Sequence, residues 1–366
     1  MKTVQLSTAT GWRGGEQQAL YLATALAGEG VEVLVVAPPG APLLERAAAA
    51  GLPTQPCAIR CEVNPAAVWR LRRVLRSAGA DLVHVHDAHG VIPAGAAAWL
   101  AGGVKVVASR RVDFALRGGW KCRRCADRVV CISRAVERVC RDGGAPEHKL
   151  RVVRSGVDPE RFRGGEYSKA KLREELGIDR KDDVILNVAA LTDHKGQRYL
   201  LDAMLYVARD HPRVHLLIAG DGELEGALRA QARELALEEK VHFLGRRSDV
   251  GALLHLADVF VMASHLEGLC TSVLDAMAME VAPVVTDAGG LPEIVEDGVT
   301  GRVVPAKTPE ALADALVAEL RDRKARQAHA RAARAWVERE ATVAQMAAGT
   351  LAVYRELLAE RGSPTA

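Results

Sequence analysis

The sequence predicts an α/β protein of two doubly wound, Rossmann-like parallel-sheet domains and a helical C-terminal stretch. Three observations carry this. Short apolar runs alternate with helical runs along the whole chain, which is the order of βαβ units. The strand runs are continuously apolar, so both strand faces are buried, as in a parallel sheet covered by helices. The alternation breaks at 156-GVDPERFRGGEYSKAK, where Gly, Pro and charge take over and a domain junction is expected.

The first domain opens with strand 3-TVQLST, helix 16-EQQALYLATALA and strand 31-VEVLVVAP. Helix 65-PAAVWRLRRVLRSAG follows, with Val68, Leu71, Val74 and Leu75 on its apolar face. Strands are then expected at 81-DLVHVHD, 104-VKVVAS, 128-RVVCIS and 151-RVVRSG. The second series begins at 184-VILNVAAL and continues through 214-VHLLIAGDG, 241-VHFLG, 259-VFVMAS, 283-PVVTDA and 302-RVVP. The stretch 309–361, rich in Ala, Arg and Glu, reads as helical. Two such domains are expected to face each other across a cleft. Ligands of open parallel sheets bind at the carboxyl ends of the strands, so residues that follow a strand and open a helix are the candidates for function.

Hydrophobic residues make up 49% of the chain, as in a globular protein, but aromatics only 4%, so an aliphatic core is expected. A net charge of +3 argues against a dedicated nucleic-acid binder. Seven cysteines in no regular framework point to a reducing compartment. The stretch MKTVQLSTATG holds no apolar run long enough for a signal peptide or membrane span. A cytoplasmic protein is expected, with docking on the inner face of the cell membrane left open.

Three motifs follow strands. In 11-GWRGGEQQAL, Gly14 and Gly15 let the backbone approach a ligand and place helix N–H groups toward an anion. A plain tight turn explains them equally well, and the pattern is not the G-x-G-x-x-G of a dinucleotide fold. In 189-AALTDHKGQRYLLDA, Lys195 precedes a helix and can neutralise a diphosphate; a solvated lysine is the plain alternative. The third, 266-LEGLCTSVLDAMAM, holds two carboxylates, Glu267 and Asp275. Ser272 and Asp275 match a capping box, which by itself explains Asp275 but not Glu267 or the small residues between. In the functional reading, Gly268, Leu269, Cys270, Thr271 and Ser272 offer backbone N–H groups to a phosphate. Glu267 and Asp275 then reach polyols on its two sides, the order of a nucleotide-sugar.

Glu267-Gly, Asp275-Ala-Met-Ala and 283-PVVTDAGGLPEIVEDGVTGRVV resemble the donor site of family 4 of the retaining glycosyltransferases, of GT-B fold. The resemblance extends over nearly the whole chain, through 14-GGEQQ, 195-KG, 219-AGDGELEGAL, 241-VHFLGRRSDV and 151-RVVRSGVDPERF. It implies an acceptor-binding domain over 1–160, a nucleotide-sugar-binding domain over 161–340, and a helix over 341–366 packing back on the first domain. It implies that Lys195 binds the donor diphosphate, Glu267 the donor sugar and Asp275 the ribose. It places Gly14 and Gly15 near the reacting phosphate and Arg247, in 246-RRSDV, by the base. Transfer with retention, with no cofactor and no general base from the protein, follows from the same resemblance. The chain has no Asp-x-Asp, so no metal at the donor is indicated.

Four departures matter. Asp275 stands where the family usually has Glu, and Ala190 where it usually has an Arg that assists Lys195. At 107-VASRRVDF the family histidine is absent, and Arg111 or Arg110 stands in, able to supply a cation to the leaving phosphate. Glu280 occupies a position where the family prefers Gly.

In 84-HVHDAH-89, His86, Asp87 and His89 suit a metal or an acceptor; acceptor contact by His86, His89 and Arg110 is the expectation. The 122-CRRC-125 pair with Cys131 and Cys140 has poor zinc spacing, and free thiols are expected. A basic series of Arg110, Arg111, Arg117, Lys121, Arg123, Arg124 and Arg128, with Trp69 and Trp120 beside it, suits a sugar or glycolipid acceptor at an anionic membrane surface. The expected activity is transfer of a sugar from a nucleotide-diphosphate sugar to a cell-envelope glycoconjugate. A nucleotide-sugar epimerase of the same fold and a non-enzymatic nucleotide-sugar binder remain as alternatives.

Overall fold

The computed structural model describes residues 1–59, 61–116, 119–162, 165 and 167–360. The chain divides into two units: Met1–Gly156 with Val343–Ala366, and Val157–Thr342. The expected boundaries lay at 160/161 and 340/341.

In the first unit, β1 (Lys2–Leu6), α1 (Gly14–Gly28), β2 (Glu32–Ala37), α2 (Pro42–Ala49), β3 (Thr54–Pro56), α3 (Pro65–Ser77) and β4 (Leu82–Val85) come first. Then follow α4 (Val91–Leu100), β5 (Lys105–Arg110), α5 (Gly119–Cys125), β6 (Arg128–Cys131), α6 (Arg134–Asp142) and β7 (Leu150–Val152). The seven strands lie in the order β3-β2-β1-β4-β5-β6-β7, every pair parallel. The order reverses between β1 and β4, so a crevice opens at their carboxyl ends. The edge strand β3 is short and has no apolar run of its own, so the sequence does not announce it.

In the second unit, α7 (Lys169–Leu176), β8 (Asp183–Val188), α8 (Gln197–Asp210), β9 (Val214–Ala219), α9 (Glu225–Glu234), β10 (Val241–Gly245) and α10 (Val250–Leu256) lead. Next come β11 (Val259–Met262), α11 (Thr271–Ala278), β12 (Ala282–Thr286), β13 (Arg302–Val304), α12 (Pro309–Arg321) and α13 (Arg323–Glu340). Six parallel strands lie in the order β10-β9-β8-β11-β12-β13, which reverses between β8 and β11.

The C-terminal helical stretch is three helices. It breaks at Asp322, whose carboxylate caps α13 by accepting from Ala325 N, and again at Ala341. The last helix, α14 (Val343–Ala359), belongs to the first unit, where Leu351, Tyr354 and Leu357 are buried with Leu22 and Leu26 of α1. Glu356 fastens the same helix to Arg128 and Arg151, and those guanidinium groups hold its carboxyl down at about 2. Both cores are aliphatic, with Tyr354 and Phe260 among the few buried aromatics. Among the described residues, no helix is long and apolar enough to cross a membrane.

Candidate active site

In the second unit, the site residues gather where the strand order reverses. Lys195 ends a short 3-10 turn after β8, and Glu267 lies in the loop after β11. Lys195 Nζ donates to Glu267 Oε2 at 2.5 Å, and Ser264 Oγ donates to the same oxygen at 3.1 Å. Glu267 is buried and Lys195 half-buried, so the contact stands partly out of water. Gly196 makes this approach feasible: at φ +70°, a Cβ there would sit 2.0 Å from the Ala263 carbonyl oxygen. Sequence reading did not single out Ser264, which orients Glu267.

The expected capping box at Ser272 and Asp275 does not form. Helix α11 begins two residues earlier than a Ser272 cap requires, at Thr271, with Cys270 as its N-cap in a left-handed conformation (φ 70°). Ser272 is therefore inside the first turn and donates to the Val188 carbonyl, tying the helix to the end of β8. Cys270 is buried, and burial pushes its thiol up to about 11. A non-glycine residue held at positive φ beside the two charges is local strain of the kind found at ligand sites. Leu269 is buried in the core, so what it can offer a ligand is its backbone.

Asp275, freed from capping, faces Arg161 at 3.9 Å. Burial raises its carboxyl to about 6, and Arg161 pulls the other way. Arg247 is less available than expected. Asp249 grips it with two hydrogen bonds of 2.8 and 2.7 Å, and Glu175 accepts from it at 2.9 Å, so a base contact has to displace carboxylates. Ala190 brings no side-chain charge of its own, and its carbonyl accepts from the Gln197 amide at 3.0 Å.

Glu280, unexplained by the sequence, has a structural reason. It is the residue after the C-cap of α11, at φ 55°. Val281 N donates to Ala276 O and Glu280 N to Met277 O, the pair of bonds that closes a helix with a left-handed residue, normally Gly. A 3.7 Å ion pair with Arg334 accompanies it.

In the first unit, Gly14 and Gly15 open α1, and Glu16 Oε2 accepts from Arg13 N at 2.8 Å. A Cβ on Gly15 would lie 3.9 Å from Arg111 Cδ, so the helix start and Arg111 are neighbours. Arg111 follows β5; burial lowers its pKa to about 10, and it stays a cation at neutral pH. Its Nη2 donates to His86 Nδ1 at 3.3 Å and its Nη1 to Ser155 Oγ at 3.5 Å. Arg110 instead is half-buried and donates to the Phe114 carbonyl at 2.6 Å. Of the two, Arg111 is the one beside Gly15.

The expected acceptor histidine His86 is buried, and both ring nitrogens are engaged, by Arg111 and by Gln5 Oε1 at 2.9 Å. It stands behind Arg111 and offers no free nitrogen to an acceptor. Asp87 is likewise committed, accepting from Thr8 N, Thr8 Oγ1 and Gly90 N. His89 is exposed and lines a pocket of about 310 Å³ with Thr8, Thr10, Ile59 and Cys61. Among the described residues, no group of three or more His, Cys, Asp or Glu is placed to hold a metal ion. The cysteines are free thiols.

The basic series also changes. Arg128 is buried against Glu356, and Lys121 Nζ pairs with Glu62 at 2.6 Å. Arg117 lies outside the described residues. Exposed around α3, α4 and α5 are aromatic side chains: Trp69, Trp99, Phe114 and Trp120.

Two family models match the chain. Glycosyltransferase Family 4 covers residues 12–161, and Glycosyl transferases group 1 covers residues 168–336. The chain is 33% identical over 190 residues to the uncharacterized glycosyltransferase MJ1607 of Methanocaldococcus jannaschii, a match over 50% of this chain and 48% of that protein. It thus spans about half of that relative's length. It is 26% identical over 264 residues to the UDP-Gal:alpha-D-GlcNAc-diphosphoundecaprenol alpha-1,3-galactosyltransferase of Escherichia coli, covering 68% of each chain. It is 30% identical over 306 residues to the glycogen synthase of Mycobacterium tuberculosis, covering 78% of this chain and 71% of that one. Among solved structures, Anabaena Alr3699/HepE in complex with UDP-glucose superposes with a TM-score of 0.85 at 21% identity, over 97% of this chain and 100% of that chain. At that identity, the likeness speaks for the GT-B fold alone.

Proposed function

Because the chain belongs to the family 4 glycosyltransferases, of GT-B fold, we propose that it transfers a sugar from a nucleotide-diphosphate sugar to a cell-envelope glycolipid or polysaccharide, with retention. The observation that carries this is the Lys195–Glu267 pair at the strand-order reversal of the second unit, beside the N-terminus of α11. Lys195 and the loop N–H groups from Gly268 to Ser272 receive the diphosphate. Glu267 then turns from Lys195 to the sugar hydroxyls, and Asp275 holds the ribose.

In the reaction, the bond from the anomeric carbon to the β-phosphate oxygen breaks. The acceptor oxygen bonds to that carbon on the same face, and its proton passes to the departing phosphate. The protein's part is electrostatic: Lys195 and Arg111 stabilise the negative charge that develops on the diphosphate. No step needs a divalent ion, because protein cations serve the phosphate. The pocket beside His89, whose polar lining is Thr8, Thr10, Asp87 and His89, suits a polyol acceptor.

Exposed Trp69, Trp99 and Trp120 support an acceptor presented at a membrane surface. Such rings favour the headgroup level of a bilayer. With Lys121 and Arg128 already paired, insertion of these rings carries more of the docking than a cationic path does. Binding to anionic vesicles should therefore survive moderate salt, and Trp69→Ala with Trp120→Ala should abolish it. Vesicle binding unaffected by both substitutions would exclude this surface.

The test of the function is a thermal-shift panel of UDP-, GDP- and ADP-sugars, followed by transfer assays on the stabilising donor. A relative acting on UDP-Gal makes UDP-sugars the first choice. The product's anomeric configuration, read by NMR, decides retention. Activity abolished by chelator and restored by Mg²⁺ or Mn²⁺ would overturn the metal-independent reading. Tight donor binding without transfer would favour the non-enzymatic alternative, for which Ala190 is the motive.

A further inference from the structure

Behind Arg111 runs a chain of buried polar groups that the transfer reaction does not itself require. Gln5 lies in the middle of β1, His84 within β4, His86 just beyond it, and Tyr354 on α14; all four are buried. Tyr354 Oη bonds to His84 Nδ1 at 2.5 Å, and Gln5 Nε2 donates to Tyr354 Oη at 3.3 Å. With its amide nitrogen thus committed, Gln5 presents Oε1 to His86 Nε2 at 2.9 Å. An amide oxygen only accepts, so His86 Nε2 must carry the hydrogen. Burial keeps the ring neutral, holding its pKa well below the ordinary value, and the positive neighbour Arg111 acts in the same direction. The remaining nitrogen, Nδ1, is then a lone pair, and it meets Arg111 Nη2.

We infer that His86 is a positioning residue for Arg111, and that Gln5 and Tyr354 fix the His86 tautomer so that Nδ1 always accepts from the guanidinium. The opposite tautomer would set an N–H against an N–H and push Arg111 away. Among the described residues Arg111 has few other restraints: Ser155 lies at 3.5 Å, Glu16 acts on it through its charge, and Nε is buried without a hydrogen-bond partner there. An arginine whose task is to meet a developing charge gains from being held before the reaction, because no reorganisation is then needed. The inference rests on the proposed role of Arg111 in transfer, but its geometric part can be tested without it.

The experiment combines spectra with kinetics on the full chain. In protein labelled with ¹⁵N-histidine, the two-bond ring correlations of His86, identified by its loss in His86→Phe, should show the Nε2–H tautomer at neutral pH. In Gln5→Leu that preference should be lost. In ¹⁵N-arginine protein, the Arg111 guanidinium signals, identified with Arg111→Lys, should be restrained in the native chain. They should become mobile in His86→Phe and return to the restrained state in His86→Asn, whose amide oxygen can replace Nδ1. An Nδ1–H tautomer or an imidazolium in the native protein overturns the inference, as does an Arg111 signal indifferent to His86→Phe. With UDP-glucose, or whichever donor the panel selects, His86→Phe should lower kcat about tenfold with little change in donor KM, and His86→Asn should recover most of it. In an Arg111→Ala background, His86→Phe should have almost no further effect; full additivity overturns the coupling. If no donor is turned over, the proposed function fails, and the spectra still decide where His86 holds Arg111.

Discussion

Lys195 and Glu267 stand 2.5 Å apart, each neutralising a charge that a donor would need. A nucleoside diphosphate has to compete with Glu267 for Lys195. Glu267→Gln should therefore raise affinity for UDP alone several-fold while transfer is lost; calorimetry and product assays check the two halves separately. Lys195→Ala should lower turnover about a hundredfold or more, the order found when one donor to a developing oxyanion is removed. Asp275 has a different signature. Its native carboxyl sits at about 6, above the ordinary 3.8, because burial favours the neutral form. The native state therefore holds the proton more tightly than the unfolded one. Stability from this group is present at low pH and is lost as pH rises from about 4 through 6. Asp275→Asn should then be more stable than the native protein near pH 7 by about 1–3 kcal/mol, with the gap shrinking toward pH 5 in denaturant titrations. If Asp275 holds the ribose as proposed, UDP affinity in the native chain should rise over the same interval, as its carboxylate forms.

Helix α11 shows how an element's ends are set. Its start is displaced by two residues from the sequence pattern because Cys270 takes the left-handed turn and Ser272 is drawn to Val188. A capping box read from spacing alone cannot anticipate either tertiary partner. Its end is closed by Glu280 in a conformation that disfavours any side chain by about 1 kcal/mol or more. The ion pair to Arg334 lies at 3.7 Å on a half-exposed Glu280 and contributes little against that cost. Glu280→Gly should stabilise the protein by about 0.5–1 kcal/mol in urea unfolding, with activity unchanged, since the residue lies at the far end of the helix from Glu267.

For the whole molecule, α14 decides the integrity of the first unit, although it is the last element among the described residues. Met346, Leu351, Tyr354 and Leu357 are buried in that unit, and burial of each large apolar side chain stabilises by about 1.5–3 kcal/mol. Truncation after Thr342 should leave the first unit unable to fold cooperatively. Limited proteolysis should then cleave Met1–Gly156 while Val157–Thr342 persists as a resistant fragment. Equal resistance of both parts would contradict this.

The apolar strand runs, their alternation with helices and the Lys195, Glu267 and Gly14–Gly15 motifs were legible in the sequence, because periodicity and turn chemistry are local properties. Gln5 and His84 were legible only as oddities, polar residues inside apolar strands 3-TVQLST and 81-DLVHVHD. Their meaning depends on Tyr354, which β1 meets only because the chain returns to the first unit at its end. Tertiary structure alone decided that His86 backs Arg111 instead of facing an acceptor, that Arg128 is buried against Glu356, and that Asp275 is a half-desolvated carboxylate and not a cap. In each case, the deciding partner is far away in sequence. The energy of a buried polar group depends on that partner, and no spacing along the chain encodes it.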